Sequence, residues 1–287
     1  MDWDKIKRLF IMLLVVLNAG LFGANYLQGS HYHMTSEEEA AIFRVLSENH
    51  VGIYTDLIYD TPPMRAISVS PATLDPQTLQ QAFFDPEEEV RITLQFDQTI
   101  LASNEKSLIL QGNEIQYLNP GGTGKVENFS RQTALETAEA FLLKMDLQGR
   151  SEMEVDKVEQ NGDRFVVECS ERYRNYRLFD STRTITVSEQ GVIMATARYY
   201  QVAGFSGEAR GICSCDEALL TFLQQRSEQE DTQNIYIEKI ELGYRLQSME
   251  RMEDGSTFYL VPCYRILTAT NGEVCYIDAY TNEIIGE

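Results

Sequence analysis

The sequence predicts an α+β chain in which a single N-terminal transmembrane helix is followed by an extracytoplasmic domain of antiparallel sheets with packed helices. Two helix-plus-sheet repeats fill the C-terminal half. Three observations predict this. Leu9–Leu27 runs for nineteen residues without a formal charge. Beyond it, capped segments with helical spacing of apolar residues are interleaved with segments of period-two alternation. From residue 130 onward a helix start and a glycine turn recur at offsets of 84 and 81 residues, the mark of an internal repeat. The composition agrees, since 287 residues with 18 Gly, 7 Pro and 5 Cys exclude collagen-like, low-complexity and disulfide-dense classes. With 44 Asp and Glu against 24 Lys and Arg the net charge is −20, which argues against nucleic acid as a partner because a polyanion would be repelled.

At 1.5 Å per residue, Leu9–Leu27 just spans a hydrocarbon core of about 30 Å. Lys5, Lys7 and Arg8 precede it, whereas the first basic residue after it is Arg44, behind Glu37, Glu38 and Glu39. The positive-inside rule puts residues 1–8 in the cytosol and residues 28–287 outside, giving a single-pass protein of the cell membrane. The rival is a cleaved signal peptide. Against it stand the length of the run, the lack of a clean A-x-A site, and the absence of any Cys before Cys169 to carry a lipid. Eight residues are too few to bury a core, so any inward signal is expected to pass sideways through the helix. Asn18 and Asn25 are seven positions apart and fall within about 20° of each other on one face. There an amide can bond another membrane helix for about 0.6–2 kcal/mol, or, for Asn25, meet water at the outer headgroups. Gly20 and Ala24 form a small-xxx-small pair on roughly the opposite side, where a second backbone can approach.

Residues 28–50 read as a juxtamembrane linker and helix, 51–128 as a first β-rich subdomain, 129–203 as the first helix-sheet repeat and 204–287 as the second. Thr35 or Ser36 caps a helix whose positive end is met by Glu37, Glu38 and Glu39 and whose apolar stripe is Ile42, Phe43, Val45 and Leu46. Thr61-Pro62-Pro63 marks a turn and Arg65–Val69 a short strand. Asp75-Pro76 opens a short helix with Pro at its first position. Glu89–Phe96 alternates, with Val90, Ile92, Leu94 and Phe96 on one face, and reads as a half-buried antiparallel strand continued by a meander through Leu118. Ser130 and Ser214 then start two helices, the second through a capping box with Glu217. Strands follow each, closing in turns at Gly191 and Gly272. Asn271-Gly272 is a favoured two-residue hairpin pair, which would set Cys263 opposite Tyr280 and keep it out of register with Cys275.

Chemistry is sparse. The three His stand at 31, 33 and 50, so residues 51–287 hold no Ser-His-Asp or Cys-His arrangement. His31-x-His33 lacks a third ligand at a recognisable spacing. Asn119–Val126 imitates a P-loop but has Asn where the motif needs its first Gly and Val where it needs Ser or Thr, and reads as a loop. Asp85–Glu89 lacks the alternation of a Ca²⁺ loop and reads as a solvated turn. Cys213-x-Cys215 is a single pair, weak as a metal signature. No catalytic, cofactor-binding or metal-ligating residue is expected.

The opening Met-Asp-Trp, the Lys-rich link Asp4–Arg8, then Phe10-Ile11 and the aliphatic run to Leu17-Asn18 resemble the N-terminus of the YycI family. Those proteins are single-pass accessory regulators of an essential cell-wall sensor histidine kinase. The resemblance is dense over residues 1–18 and architectural beyond. It implies as partners a sensor histidine kinase of the YycG/WalK type and a YycH-like accessory protein; Trp3, Asn18, Gly20, Ala24 and Asn25 are the residues expected in the membrane contact, and with so little chemistry no enzymatic activity is expected. Five Cys in the exported part, and the small residues Gly20, Gly23 and Ala24, depart from the family's pattern. The closing stretch Val274–Ile285 resembles the end of a PepSY-type module, a helix against a small antiparallel sheet, with Asn282 where Gly is usual. That likeness implies a second reading, an exported inhibitor or binder of a peptidase.

Overall fold

The computed structural model describes residues 32–147, 149, 152–228, 233–247, 258–269 and 272–286. The expected anchor, and with it Trp3, Asn18, Gly20, Ala24 and Asn25, lies outside them. No helix of the described residues is long and apolar enough to cross a membrane. Their fold is mixed α+β, with the strands paired mostly antiparallel. In chain order the elements are β1 (Tyr32–His33), α1 (Ser36–Glu48), β2 (Val51–Ile53), β3 (Asp60–Thr61), β4 (Met64–Pro71), α2 (Pro76–Phe83), β5 (Arg91–Gln95) and β6 (Gln98–Ala102). Then come β7 (Ser107–Gln111), β8 (Glu114–Leu118), α3 (Arg131–Met145), β9 (Glu152–Asn161), β10 (Arg164–Tyr173) and β11 (Tyr176–Ser188). The last are β12 (Gly191–Arg198), β13 (Tyr200–Arg210), α4 (Cys215–Glu228), β14 (Ile235–Leu246), β15 (Phe258–Thr268) and β16 (Val274–Asp278).

Each helix starts where a side chain can satisfy its first amides. Thr35 Oγ1 accepts from the Glu38 N–H at 3.3 Å while the Glu38 carboxylate accepts from the Thr35 N–H at 2.8 Å. Asp75 accepts from the Thr78 N–H at 2.9 Å, with Pro76 first in the helix, and that bond holds the Asp75 carboxyl below its ordinary range. Ser130 and Thr133 exchange the same pair of bonds at the head of α3. At α4, the Glu217 carboxylate accepts from the Ser214 N–H at 2.9 Å. Of the apolar stripe expected on α1, Ile42 and Leu46 are buried and Phe43 is exposed.

The chain divides into two compact units. One gathers the described residues of Ile67–Phe205 and Gly243–Leu260, the other those of Met1–Ala66, Ser206–Leu242 and Val261–Glu287. The stretch 51–128 is divided between them, because β2 pairs with β14 whereas β5–β8 extend the sheet of β9–β12. In the first unit a continuous antiparallel sheet runs β9-β10-β11-β12-β8-β7-β6-β5. Helices α2 and α3 cover one face. Ala134 and Ala138 bring α3 close to the strands, and Phe141, Leu142 and Met145 join Leu108, Tyr117, Val167, Ile185 and Ala195 in one core. Alternation along β5 suggests a half-buried strand, but every residue of it is exposed. The reason is its place: strand order puts it at the sheet edge, where it carries the apolar pattern past the helices that would cover it.

In the other unit β2 lies parallel to β14, Val51 opposite Ile235, and β15 pairs antiparallel with β16. Helices α1 and α4 close the core around Ile42, Leu46, Leu219, Phe222, Ile237 and Tyr264. Cys263 faces Asp278 rather than Tyr280, and Cys275 faces Ile266. The connection after Thr268 runs on to Glu273, whose carbonyl accepts the Thr268 N–H at 3.0 Å. That loop is longer than a two-residue turn and slips the register by two, leaving the cysteines out of register as before. Past β16, the Asp278 carboxylate accepts from the Tyr280 N–H at 2.7 Å and the Thr281 N–H at 3.3 Å. Asn282 closes this turn at φ 56°, a conformation that favours Gly and tolerates Asn.

Candidate interaction surfaces

Of the motifs with a chemical look, the glycine-rich loop is pinned to its own neighbours. The Gly124 N–H donates to the Gln190 carbonyl at 2.9 Å and the Val126 N–H to the Glu189 carbonyl at 2.8 Å, while Thr123 Oγ1 accepts from the Val192 N–H at 3.0 Å. A Cβ at Gly122 would lie 2.0 Å from the Gln190 oxygen, and one at Gly191 2.6 Å from the Gly124 oxygen. These glycines let two turns interlock; their amides are not displayed to a phosphate. In the acidic turn, Lys106 Nζ stands 3.4 Å from Asp85 and 2.6 Å from Glu88, over the Phe84 ring. Burial pushes the Cys213 thiol up to about 12, with the carboxylates of Glu217 and Asp278 adding to it, and Cys169 and Cys215 up to about 11. Such thiols stay protonated at neutral pH and are poor nucleophiles.

What the first unit presents is two contrasting sheet faces and a cavity. The face away from the helices carries a polar groove of about 310 Å³, lined by Gln98, Gln111, Glu114, Gln116, Thr196 and Arg198 among others. Its side chains bond one another: Gln98 to Gln111 at 3.1 Å, Gln111 to Asp97 at 2.6 Å and Arg198 to Glu114 at 2.5 Å. The helix-side face ends in β5, where Ile92 and Leu94 are 46% and 80% exposed, and Phe96 just beyond it is fully exposed. Ile92 lies opposite Leu101, a buried core residue, so the apolar stripe continues outward from the core without its cover. Phe96 sits in the β5–β6 turn at φ 55°, where a bulky side chain is strained.

The cavity, of about 630 Å³, is lined by Thr73, Glu171, Arg172, Tyr173, Tyr200 and Gln201 among others. Burial raises the Glu171 carboxyl above its ordinary range, against the opposing pull of a Ser181 hydroxyl bond at 2.6 Å and of the Arg183 charge. Arg183 itself is buried, its guanidinium 4.9 Å from the centre of the Tyr199 ring. A half-buried carboxyl with a raised pKa at a cavity wall is a functional-site candidate on physical grounds. Neither Glu171 nor Arg183 stands out in the sequence, because β10 and β11 carry several other charged and hydroxyl residues. Because the folded pKa is raised, the charged form costs stability at neutral pH. That cost disappears as pH falls through the folded value and is gone below the unfolded value of about 4.3. Glu171→Gln is therefore expected to unfold at higher urea than the parent at neutral pH. The difference should close in acid, and a difference independent of pH would refute the assignment.

No family model matches the chain, and no curated protein matches it. Solved structures do. An uncharacterized protein from Eubacterium rectale superposes with a TM-score of 0.54 at 12% identity, covering 83% of this chain and 89% of that one. The C-terminal domain of Bacillus megaterium YpeB superposes with a TM-score of 0.42 at 14% identity, covering 74% and 95%. The first establishes a shared fold.

Proposed function

We propose that the chain is a membrane-anchored extracytoplasmic accessory protein that regulates a cell-wall sensor histidine kinase by contact, through its membrane helix and its exported domain. The observation that carries this reading is the N-terminal segment, in which the uncharged run Leu9–Leu27 follows Lys5, Lys7 and Arg8 within a stretch that resembles YycI proteins. The kinase would be of the YycG/WalK type, and a YycH-like protein the second partner. Such a regulator acts only if it binds one signalling state of the kinase better than the other. Membrane tethering supplies the effective concentration that weak lateral contacts need.

A second reading, an exported PepSY-like inhibitor or binder of a peptidase, is favoured by the closing stretch, where Asp278 caps a turn that Asn282 completes at positive φ. The two readings separate in a strain lacking the full protein. On the regulatory reading, a fragment of residues 1–30 restores part of the kinase's transcriptional output, and the untethered fragment 30–287 does not. Asn18→Leu in the full chain keeps membrane insertion, because it makes the span more apolar, but weakens co-purification with the kinase. Full rescue by the untethered domain would overturn the reading in favour of the inhibitor.

A further inference from the structure

We propose that β5 is a docking edge, to which a partner adds an extended segment of alternating basic and apolar residues as the next strand of the sheet. Among the described residues β5 pairs with β6 alone, in unbroken register from Arg91↔Ala102 to Gln95↔Gln98. Gln95 and Gln98 close a two-residue turn and so form a bonded pair. Counting back along an antiparallel ladder, Arg91 and Thr93 also bond β6, while the N–H and C=O groups of Ile92 and Leu94 point outward.

Native edge strands are blunted by prolines, bulges or lysines. This one has no Pro, no bulge and a single charge, Arg91. Its apolar side is open too, with Leu94 in the strand and Phe96 in the turn that follows both exposed. Phe96 keeps an aromatic ring at a left-handed tip position, a backbone strain that Gly would not carry. Strain of that kind, retained for a fully exposed ring, marks an anchor rather than a packing residue.

Charge selects the occupant. Glu87 and Glu89, both exposed, precede the strand and outnumber its one cation, Arg91; Asp97 at the far end accepts from Gln111, and Lys106 is already held between Asp85 and Glu88. A second copy of the chain would bring the same carboxylates to the same edge. A segment with Lys or Arg on alternate positions meets them, and its intervening apolar side chains fall beside Ile92, Leu94 and Phe96.

The test uses the full chain in detergent micelles and a fluorescent peptide alternating Lys and Val, followed by anisotropy. No kinase is present, so failure here and failure of the regulatory reading are distinguishable. Saturable binding is expected. It should weaken at least about ten-fold when alternate peptide amides are N-methylated, which keeps the charge and removes the backbone donors, or when Val–Glu alternation replaces Lys–Val. In the protein, Leu94→Pro removes an outward N–H that the ladder does not use, and Phe96→Gly removes the anchor while relieving the turn. Each should lose about ten-fold in affinity with the melting temperature of the parent or higher. Phe96→Gly stands as the folded control should Leu94→Pro fail to fold. Equal binding by the N-methylated peptide, or parental affinity in Phe96→Gly, overturns the proposal. So does self-association of the parent that Phe96→Gly abolishes, which would assign the edge to a second copy.

Discussion

Phe141→Ala is expected to remove about 3–5 kcal/mol from the unfolding free energy of the unit built on β5–β12. Phe141 is 5% exposed, and its ring stands 5.2 Å from that of Tyr117 and 6.0 Å from that of Phe83. Phe83 and Tyr117 are themselves 5.5 Å apart, so the three rings join α2, β8 and α3 around one point. Deleting the Phe141 ring opens a cavity that neither helix can close without losing its own contact with the sheet. Against a typical total of about 5–15 kcal/mol, such a loss brings the unit near its unfolding midpoint. Thermal melting followed by circular dichroism should show a drop of about 10 °C. A drop of only a degree or two would mean that α2 and α3 do not share a core.

Arg177→Met should be comparably severe, by about 3–5 kcal/mol at neutral pH, although it puts an apolar side chain of similar length into a buried place. The guanidinium is 7% exposed and is held by Asp156 and, at 2.5 Å, by Glu154, which also binds Arg172 at 2.5 Å. Methionine would fill the volume but remove the cation that Asp156 and Glu154 share, leaving Arg172, held by Glu154, to offset the two carboxylates. Burial pushes the Glu154 carboxyl upward, but Arg177 and Arg172 outweigh it and hold the group below its ordinary range. A depressed folded value contributes stability that is present above the unfolded pKa of about 4.3 and lost as pH falls through the folded one. The deficit of Arg177→Met should accordingly shrink in acid. Urea unfolding at neutral pH and in acid measures both, and an equal deficit at the two would show that packing, not charge, holds β9 to β11.

Local chemistry was legible in the sequence and long-range geometry was not. The cap residues Thr35, Asp75 and Ser130 act within four residues of themselves, so their helices start where the sequence places them. Alternation at Ile92, Leu94 and Phe96 does reveal a one-faced strand, but which strand ends at the edge depends on pairings between β8 and β12, about eighty positions apart. The register of Cys263 failed for a related reason, since Asn271-Gly272 names a turn type without stating how many residues the loop holds. The Arg177, Glu154 and Asp156 cluster, and Glu171 beside Arg183, arise only when β9, β10 and β11 are laid side by side. The expected membrane-contact residues Trp3, Asn18, Gly20, Ala24 and Asn25 remain expectations of the sequence alone.

The interlock between the glycine-rich loop and the β11–β12 turn also bears on how this protein can diverge. A Cβ at Gly122 would collide with the backbone of Gln190, and one at Gly191 with the backbone of Gly124. The two positions therefore evolve as one steric unit, free to change only if both turns are rebuilt together. In drifting descendants these glycines should outlast most of the sequence around them. A search that weighs glycine spacing would then keep finding the outline of a nucleotide-binding loop in proteins selected merely to let two turns touch.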